Sequence, residues 1–236
     1  MSPDRVIIVA ARDEADRIEA TLRALAGAFP GAHVIVADDG SRDDTSVLAA
    51  DAGAEVSSRD GASGRGKGGA MTHAARRALG PAREQAERTV VLCDGDLGSS
   101  AAALGPLAEA VEAGECDLAV AAFARREGGG FGIAVGFSRW AIARLTGLQL
   151  NAPISGQRAM RAGLLRELLP FAPGFGIETA MTIDAVRAGA HVKEIELDLE
   201  HRATGRTLRG FLHRARQLVD FVRVYVSRRG APRRHG

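Results

Sequence analysis

Short apolar runs alternating with helix-length amphipathic stretches constrain this chain more than any other feature. Residues 6–10 (VIIVA) read as a buried strand, and across residues 14–28 Ile18, Leu22 and Leu25 fall on one helical face. The pairing recurs at residues 34–37 (VIVA), followed by a helix over 44–52 that Ser41 or Asp43 caps. Residues 54–57 read as a third strand before a helix over 67–79, and residues 89–93 (TVVLC) as a fourth before a helix over 100–113. Residues 117–122 (DLAVAA) close the series. Such alternation predicts an α/β domain with a mostly parallel, Rossmann-like central sheet and flanking helices.

After residue 122 the rhythm changes. Residues 125–138 (RREGGGFGIAVGFS) are Gly-rich and open with Arg125 and Arg126, which predicts a loop over a site. Helical patterns return at 139–147, 161–169 and 177–188; a strand-like VKEIELDLE and a long helix from 207 to about 226 follow. No internal repeat or Pro/Ser-rich linker splits the chain. One domain over 1–205, carrying a C-terminal amphipathic helix and tail over 206–236, is the expected organisation.

Net charge is +2, but residues 201–236 carry +9 and the preceding 200 residues −7. A basic tail on an acidic body suits an anionic partner: a membrane surface, a nucleic acid or a phosphorylated ligand. Cys93 and Cys116 lack metal-ligand spacing, which fits a reducing compartment. The first apolar run is too short for a secretory leader, and no run approaches the ~18 residues that cross a bilayer.

Residues 61–69 (GASGRGKGG) satisfy G-x-G-x-x-G through Gly64, Gly66 and Gly69, and begin a P-loop through Gly61, Gly66 and Lys67. Neither reading survives its context. The dinucleotide fingerprint belongs between the first strand and its helix, whereas this stretch follows two strand–helix units. Gly68 stands where a P-loop needs a hydroxyl for Mg²⁺. Lys67 at a helix start opposes the helix dipole, which an anionic ligand would offset.

The carboxylates say more. Asp38 and Asp39 follow the second strand, Asp94 and Asp96 the fourth, and Asp13 and Glu14 lie just past the first. Ligands of open α/β sheets bind outside the carboxyl ends of the strands. Three strands thus bring six carboxylates to one edge, which capping alone does not explain. If a turn begins at Gly95, Asp94 and Asp96 face one site, and paired carboxylates with room for water and phosphate oxygens suit Mg²⁺ or Mn²⁺. Such an ion neutralises a diphosphate leaving group.

In series these motifs resemble the family-2-type glycosyltransferases with the GT-A nucleotide-diphospho-sugar transferase fold. VAARDE stands where that family has I-P-A-x-N-E, DDGSRDDT matches D-D-G-S-x-D-x-T, GRGKGGAM matches G-x-G-K-G-x-A, and DGDL matches D-x-D-L. SGQRAMR is similar to the acceptor-side S-G-x-R-x-x-R. The resemblance implies that Ala11, Glu14, Asp38, Asp94 and Gly95 hold the nucleotide, that Lys67 meets the base or diphosphate, and that Asp96 binds Mg²⁺ or Mn²⁺. Ser155, Gly156 and Gln157 fall on the acceptor side.

Two subfamilies fit. Residues 174–189 (GFGIETAMTIDAVRAG) followed by HRATGR resemble glucosyl-3-phosphoglycerate synthases, which implies His201 as a metal ligand and Arg202 as a diphosphate clamp. The same segments with LTGLQLNAPISGQRAMR resemble polyprenyl-phosphate glycosyltransferases of the dolichyl-phosphate mannosyltransferase type. The basic amphipathic tail favours the second, since such a helix can lie on an anionic membrane. We therefore expect transfer from a UDP- or GDP-linked sugar to a polyprenyl phosphate, with a small phosphorylated acceptor such as 3-phosphoglycerate as the alternative. Glu178 is the acid best placed on the acceptor side, and Arg125 and Arg126 are expected to hold an anionic acceptor. The expected location is cytoplasmic, peripheral on the membrane face. A degenerate domain serving only as a lipid- or nucleic-acid-binding module is the non-enzymatic alternative; acids at all three strand ends oppose it, and no nucleic acid is expected.

Overall fold

A computed structural model describes residues 4–58, 66–80, 87–123, 132–199 and 208–230. Seven strands form one sheet in the order β3-β2-β1-β4-β6-β5-β7. They are β1 (Arg5–Ala11), β2 (His33–Asp38), β3 (Glu55–Ser58), β4 (Thr89–Asp94), β5 (Leu118–Phe123), β6 (Arg158–Arg161) and β7 (Val192–Leu197). All pairings are parallel except those of β6, which runs antiparallel between β4 and β5. The helices are α1 (Ile18–Ala28), α2 (Thr45–Asp51), α3 (Lys67–Leu79), α4 (Gly105–Glu112), α5 (Gly132–Thr146), α6 (Ala162–Leu168), α7 (Ile177–Arg187) and α8 (Leu208–Arg229).

The apolar runs are explained by burial on both faces. Along β1, Val6 and Ile8 pack with Ala74 of α3, Leu165 of α6 and Met181 of α7, while Ile7 and Val9 pack with Leu22 and Leu25 of α1 and Leu107 of α4. Each fully buried Val, Leu, Ile or Met side chain among them contributes about 1.5–3 kcal/mol of transfer free energy. Parallel register then decides where the strand ends fall. Ala11 lies opposite Asp38, and Ala10 opposite Asp94, so the acid-bearing ends of β2 and β4 flank the end of β1.

A smaller cluster joins Ile142 of α5, Leu150, Ala180 and Ile183 of α7, and Val224 of α8. Phe221 and Val224 bury one side of α8, and Arg228 clasps Asp184 of α7 with two hydrogen bonds, at 2.7 and 2.5 Å. Trp140 and Phe137 of α5 pack against Tyr225, with ring centroids 4.8 and 6.3 Å from it. Val219, Val222 and Val226 on the opposite side are exposed. Among the described residues no helix is long and apolar enough to cross a membrane.

Three readings of the chain need correction. Residues 132–138 belong to α5, not to a loop: glycines at 132 and 136 weakened a helical pattern that packing against α7 and α8 restores. The expected helix over 100–113 is a 3-10 segment, Gly98–Leu104, running into α4. Strand β6 was missed because four residues with arginine at both ends carry no apolar run; its neighbours in the sheet make it a strand.

Candidate active site

The first wall is built by two loops tied to each other. Between β1 and α1, Asp13 takes a left-handed conformation (φ 56°), and its carboxylate accepts the Arg42 amide at 2.8 Å. In return the Asp13 amide donates to Ser41 Oγ, the Glu14 amide to Thr45 Oγ1 and the Ala15 amide to Asp43. Asp38, at the end of β2, accepts the Ser41 amide and hydroxyl on one oxygen and the Ser46 hydroxyl on the other. Its carboxylate therefore shapes the turn, while the neighbouring Asp39 is buried and salt-bridged to Arg12 at 3.3 Å. Ala11 is buried and accepts the Asp39 amide through its carbonyl.

The second wall is the end of β4. The strand stops at Asp94, and the turn through Gly95 and Asp96 is held by the Gly95 amide donating to Ala10 O at 2.8 Å. A buried threonine of α1 completes it: Thr21 donates to Gly95 O and accepts the Gly98 amide, each at 2.8 Å. Arg17 donates to the carbonyl of Asp96 at 3.2 Å. Thr21 and Arg17 had no sequence signal, since each reads as an ordinary helix residue.

Lys67 joins the second wall to a third. Gly66 takes a left-handed conformation (φ 86°) just before α3, and the Lys67 ammonium reaches Asp94 at 2.7 Å and Glu178 at 2.9 Å. Glu178, in the first turn of α7, is 7% exposed. Burial alone would push the Lys67 ammonium down, but Asp94 and Glu178 outweigh it and hold the group above the ordinary lysine range. The anions that offset Lys67 at its helix start are thus these two carboxylates. A Cβ at Gly68 would run into the backbone oxygen of Ala172, so only glycine lets α3 begin this close to the chain before α7.

Ser155, Gly156 and Gln157 come to the same place. Gln157 Nε2 donates to Asp94 Oδ2 at 2.9 Å, and a Cβ on Gly156 would lie 2.6 Å from that oxygen. Ser155 is buried and donates to Gln157 Oε1 at 3.1 Å. The structure thus gathers Ala11, Glu14, Asp38, Lys67, Asp94, Gly95, Asp96, Ser155, Gly156, Gln157 and Glu178 at the carboxyl edge of the sheet. Arg125, Arg126, His201 and Arg202 lie outside the described residues, as do residues 61–65 of the Gly-rich stretch.

The donor set fits a hard divalent cation. Asp94 and Asp96 offer carboxylate oxygens on one short turn, the ligand type that Mg²⁺ and Mn²⁺ take. Among the described residues no three His, Cys, Asp or Glu side chains gather closely enough to form a protein cage. Mg²⁺ and Mn²⁺ bind through one or two carboxylates and take their other ligands from water and substrate phosphates.

The model of the family described as glycosyl transferase family 2 matches residues 6–169. No curated protein matches the chain. Solved structures do. Glucosyl-3-phosphoglycerate synthase from Mycobacterium tuberculosis in complex with Mn²⁺, uridine diphosphate and glucosyl-3-phosphoglycerate is 28% identical, with a TM-score of 0.75 over 98% of this chain and 81% of that one. The same enzyme with phosphoglyceric acid is 26% identical (TM-score 0.74; 98% and 81% covered). With Mn²⁺, uridine-diphosphate-glucose and glycerol 3-phosphate it is 27% identical (TM-score 0.74; 98% and 81% covered). The chain belongs to glycosyl transferase family 2, has the GT-A fold, and is a nucleotide-sugar glycosyltransferase.

Proposed function

We propose that this family-2 glycosyltransferase moves a sugar from a UDP-linked donor to a small phosphorylated acceptor of the phosphoglycerate type, with Mn²⁺ or Mg²⁺ at the donor diphosphate. One observation carries the reading: the likeness to an enzyme that holds UDP, Mn²⁺ and phosphoglyceric acid runs over nearly the whole chain. The alternative acceptor is therefore preferred to a polyprenyl phosphate.

In this reading Ala11, Glu14 and Asp38 frame the nucleoside, and Asp94, Gly95 and Lys67 meet the base or the diphosphate. Asp96, together with His201, holds the cation, which when bound neutralises charge on the leaving diphosphate. Arg202 clamps the same phosphates. Arg125 and Arg126 meet the acceptor's anionic groups, and Ser155, Gly156 and Gln157 serve the acceptor side. Glu178 faces the sugar and acceptor hydroxyls. Lys67 keeps Glu178 and Asp94 apart as two anions at a fixed spacing, so the reacting groups enter a frame that need not reorganise. A cytoplasmic location follows from a small phosphorylated acceptor.

The test is an acceptor panel with labelled UDP-glucose and GDP-mannose. Each donor is offered phosphoglyceric acid, glycerol 3-phosphate and a short polyprenyl phosphate, with Mn²⁺ and with EDTA. We expect Mn²⁺-dependent transfer from UDP-glucose to phosphoglyceric acid. Transfer to the polyprenyl phosphate alone, or use of the GDP sugar alone, refutes the proposal.

A further inference from the structure

Arg158 is the largest fully buried side chain among the described residues. It opens β6, in the interior of the sheet. Its guanidinium donates to three neutral oxygens: Ser155 O at 2.8 Å, Thr182 Oγ1 at 2.9 Å and Pro153 O at 3.3 Å. Burial pushes its pKa down to about 10, with Glu178 and then Glu194 opposing the shift, so it remains a cation at neutral pH. A buried cation generally costs stability against an apolar side chain of similar volume. What this one supplies is geometry.

The bonds around it close a circuit. Thr182 Oγ1, which accepts from Arg158, donates to the carbonyl of Glu178 at 3.0 Å. Glu178 holds Lys67, Lys67 holds Asp94, and Asp94 accepts from Gln157, the residue before Arg158. Glu194 steadies the start of the same loop by accepting the amides of Asn151 and Ala152. We propose that Arg158 is a positioning residue that sets the distance between the Asp94 wall and the Glu178 wall, acting through residues 153–157 on one side and α7 on the other. Its effect on turnover rests on the glycosyl-transfer reading above; its effect on the two walls does not.

Arg158→Lys keeps the charge, but one ammonium on a flexible stem cannot reproduce the planar fork. We would measure kcat, the KM for UDP-glucose, the affinity for UDP with Mn²⁺ by calorimetry, Tm, and amide hydrogen exchange by mass spectrometry. Expected are a kcat at least 10-fold lower and a smaller loss of UDP affinity, below 10-fold, because Asp94 and Lys67 belong to the circuit while the loops around Glu14 and Asp38 are bonded to each other and not to Arg158. Exchange should quicken in residues 153–157 and 177–182 and stay unchanged in β1 and β2. Leu165→Ala, a core truncation in α6, serves as the destabilised control and should lower Tm with kcat intact. The proposal is overturned if Arg158→Lys keeps its kcat, if it loses activity only in step with Tm as the control does, or if exchange rises uniformly. Should the wild-type chain transfer no sugar, the function falls, and the exchange pattern alone then upholds or overturns the positioning role. Should Arg158→Lys fail to fold, Thr182→Val breaks the circuit at another point; a 3-fold or greater loss of kcat with faster exchange in 177–182 is expected, and no change in either overturns the proposal.

Discussion

Replacing Gly156 with alanine places a methyl carbon 2.6 Å from Asp94 Oδ2 and 3.0 Å from Oδ1. Gly156 has no positive φ, so the backbone accepts alanine, and the loss of unfolded-state entropy favours the variant by about 0.4–1 kcal/mol. The strain falls on Asp94, which cannot swing away freely because Lys67 holds it at 2.7 Å and Gln157 at 2.9 Å. Relieving the overlap takes a shift of roughly 0.5 Å, which carries both bonds toward the weak end of the hydrogen-bond range. A charge-assisted bond is worth about 1.5–3 kcal/mol, and losing half of one comes to roughly 1–1.5 kcal/mol, near tenfold in rate. We therefore expect Gly156→Ala to keep Tm within about 2 °C of wild type while kcat/KM for the nucleotide sugar falls about 10-fold. Thermal unfolding by circular dichroism and initial rates under subsaturating donor supply the two numbers. Unchanged kcat/KM at unchanged Tm would refute the claim that Asp94 must sit where the structure puts it. A large fall in Tm would show that the overlap is relieved by the loop and not by the carboxylate.

Lys67→Met leaves Asp94 and Glu178 facing each other without their cation and should cost about 3 kcal/mol in urea unfolding. The folded lysine pKa is raised, so its contribution is whole below the ordinary lysine value of 10.5 and fades only as pH rises beyond it; a lysine-side deficit that changes between pH 6 and 9 would contradict the pairing. Arg5 forks onto Glu112 at 2.8 and 2.7 Å, and the hydrogen bond holds that carboxyl below its ordinary 4.5. The stability gap between wild type and Arg5→Met, about 1 kcal/mol at pH 7, should therefore persist above pH 4.5 and close as pH falls through the lowered value; a gap of equal size at pH 3 speaks against it. Phe221→Ala should cost about 3–5 kcal/mol if α8 is part of the core, and a variant with wild-type stability would mean that it is not. UDP with Mn²⁺ should raise the Tm of the wild-type chain and Asp96→Asn should abolish the Mn²⁺-dependent part of that rise; its retention would remove Asp96 from the cation site.

What the sequence made legible depended on distance along the chain. Helix α3 could be read to its first residue because Gly66 breaks the pattern immediately before Lys67 and the apolar period begins there. The acids after β1, β2 and β4 were placed correctly at one sheet edge because parallel strands impose that on any residue following them. The role of Asp38 in its own turn, where it accepts from serines three and eight residues on, was not read from the sequence, which took this acid only as a nucleotide-holding residue. Nor were the contacts that close the site. Gln157 meets Asp94 across 63 positions and Lys67 meets Glu178 across 111. The first needs β6 beside β4, and nothing local in RAMR announces a strand.

The position of β6 also sets an order of events during synthesis. Strands β1 to β4 can pair as soon as they leave the ribosome, for each lies beside a strand already made. Strand β5 cannot, because the strand that joins it to β4 is translated 35 residues after β5 ends, at Arg158. The nascent chain therefore carries a finished nucleotide-side half with one side of β4 open, and next to it an apolar strand without a neighbour. Such an open edge invites pairing with other chains. Arrival of Arg158 and the three residues after it closes the gap and, in the same step, delivers Gln157 to Asp94. The segment that makes the sheet continuous also brings Gln157 to Asp94, so a chain stalled before it lacks that part of the site and is prone to associate.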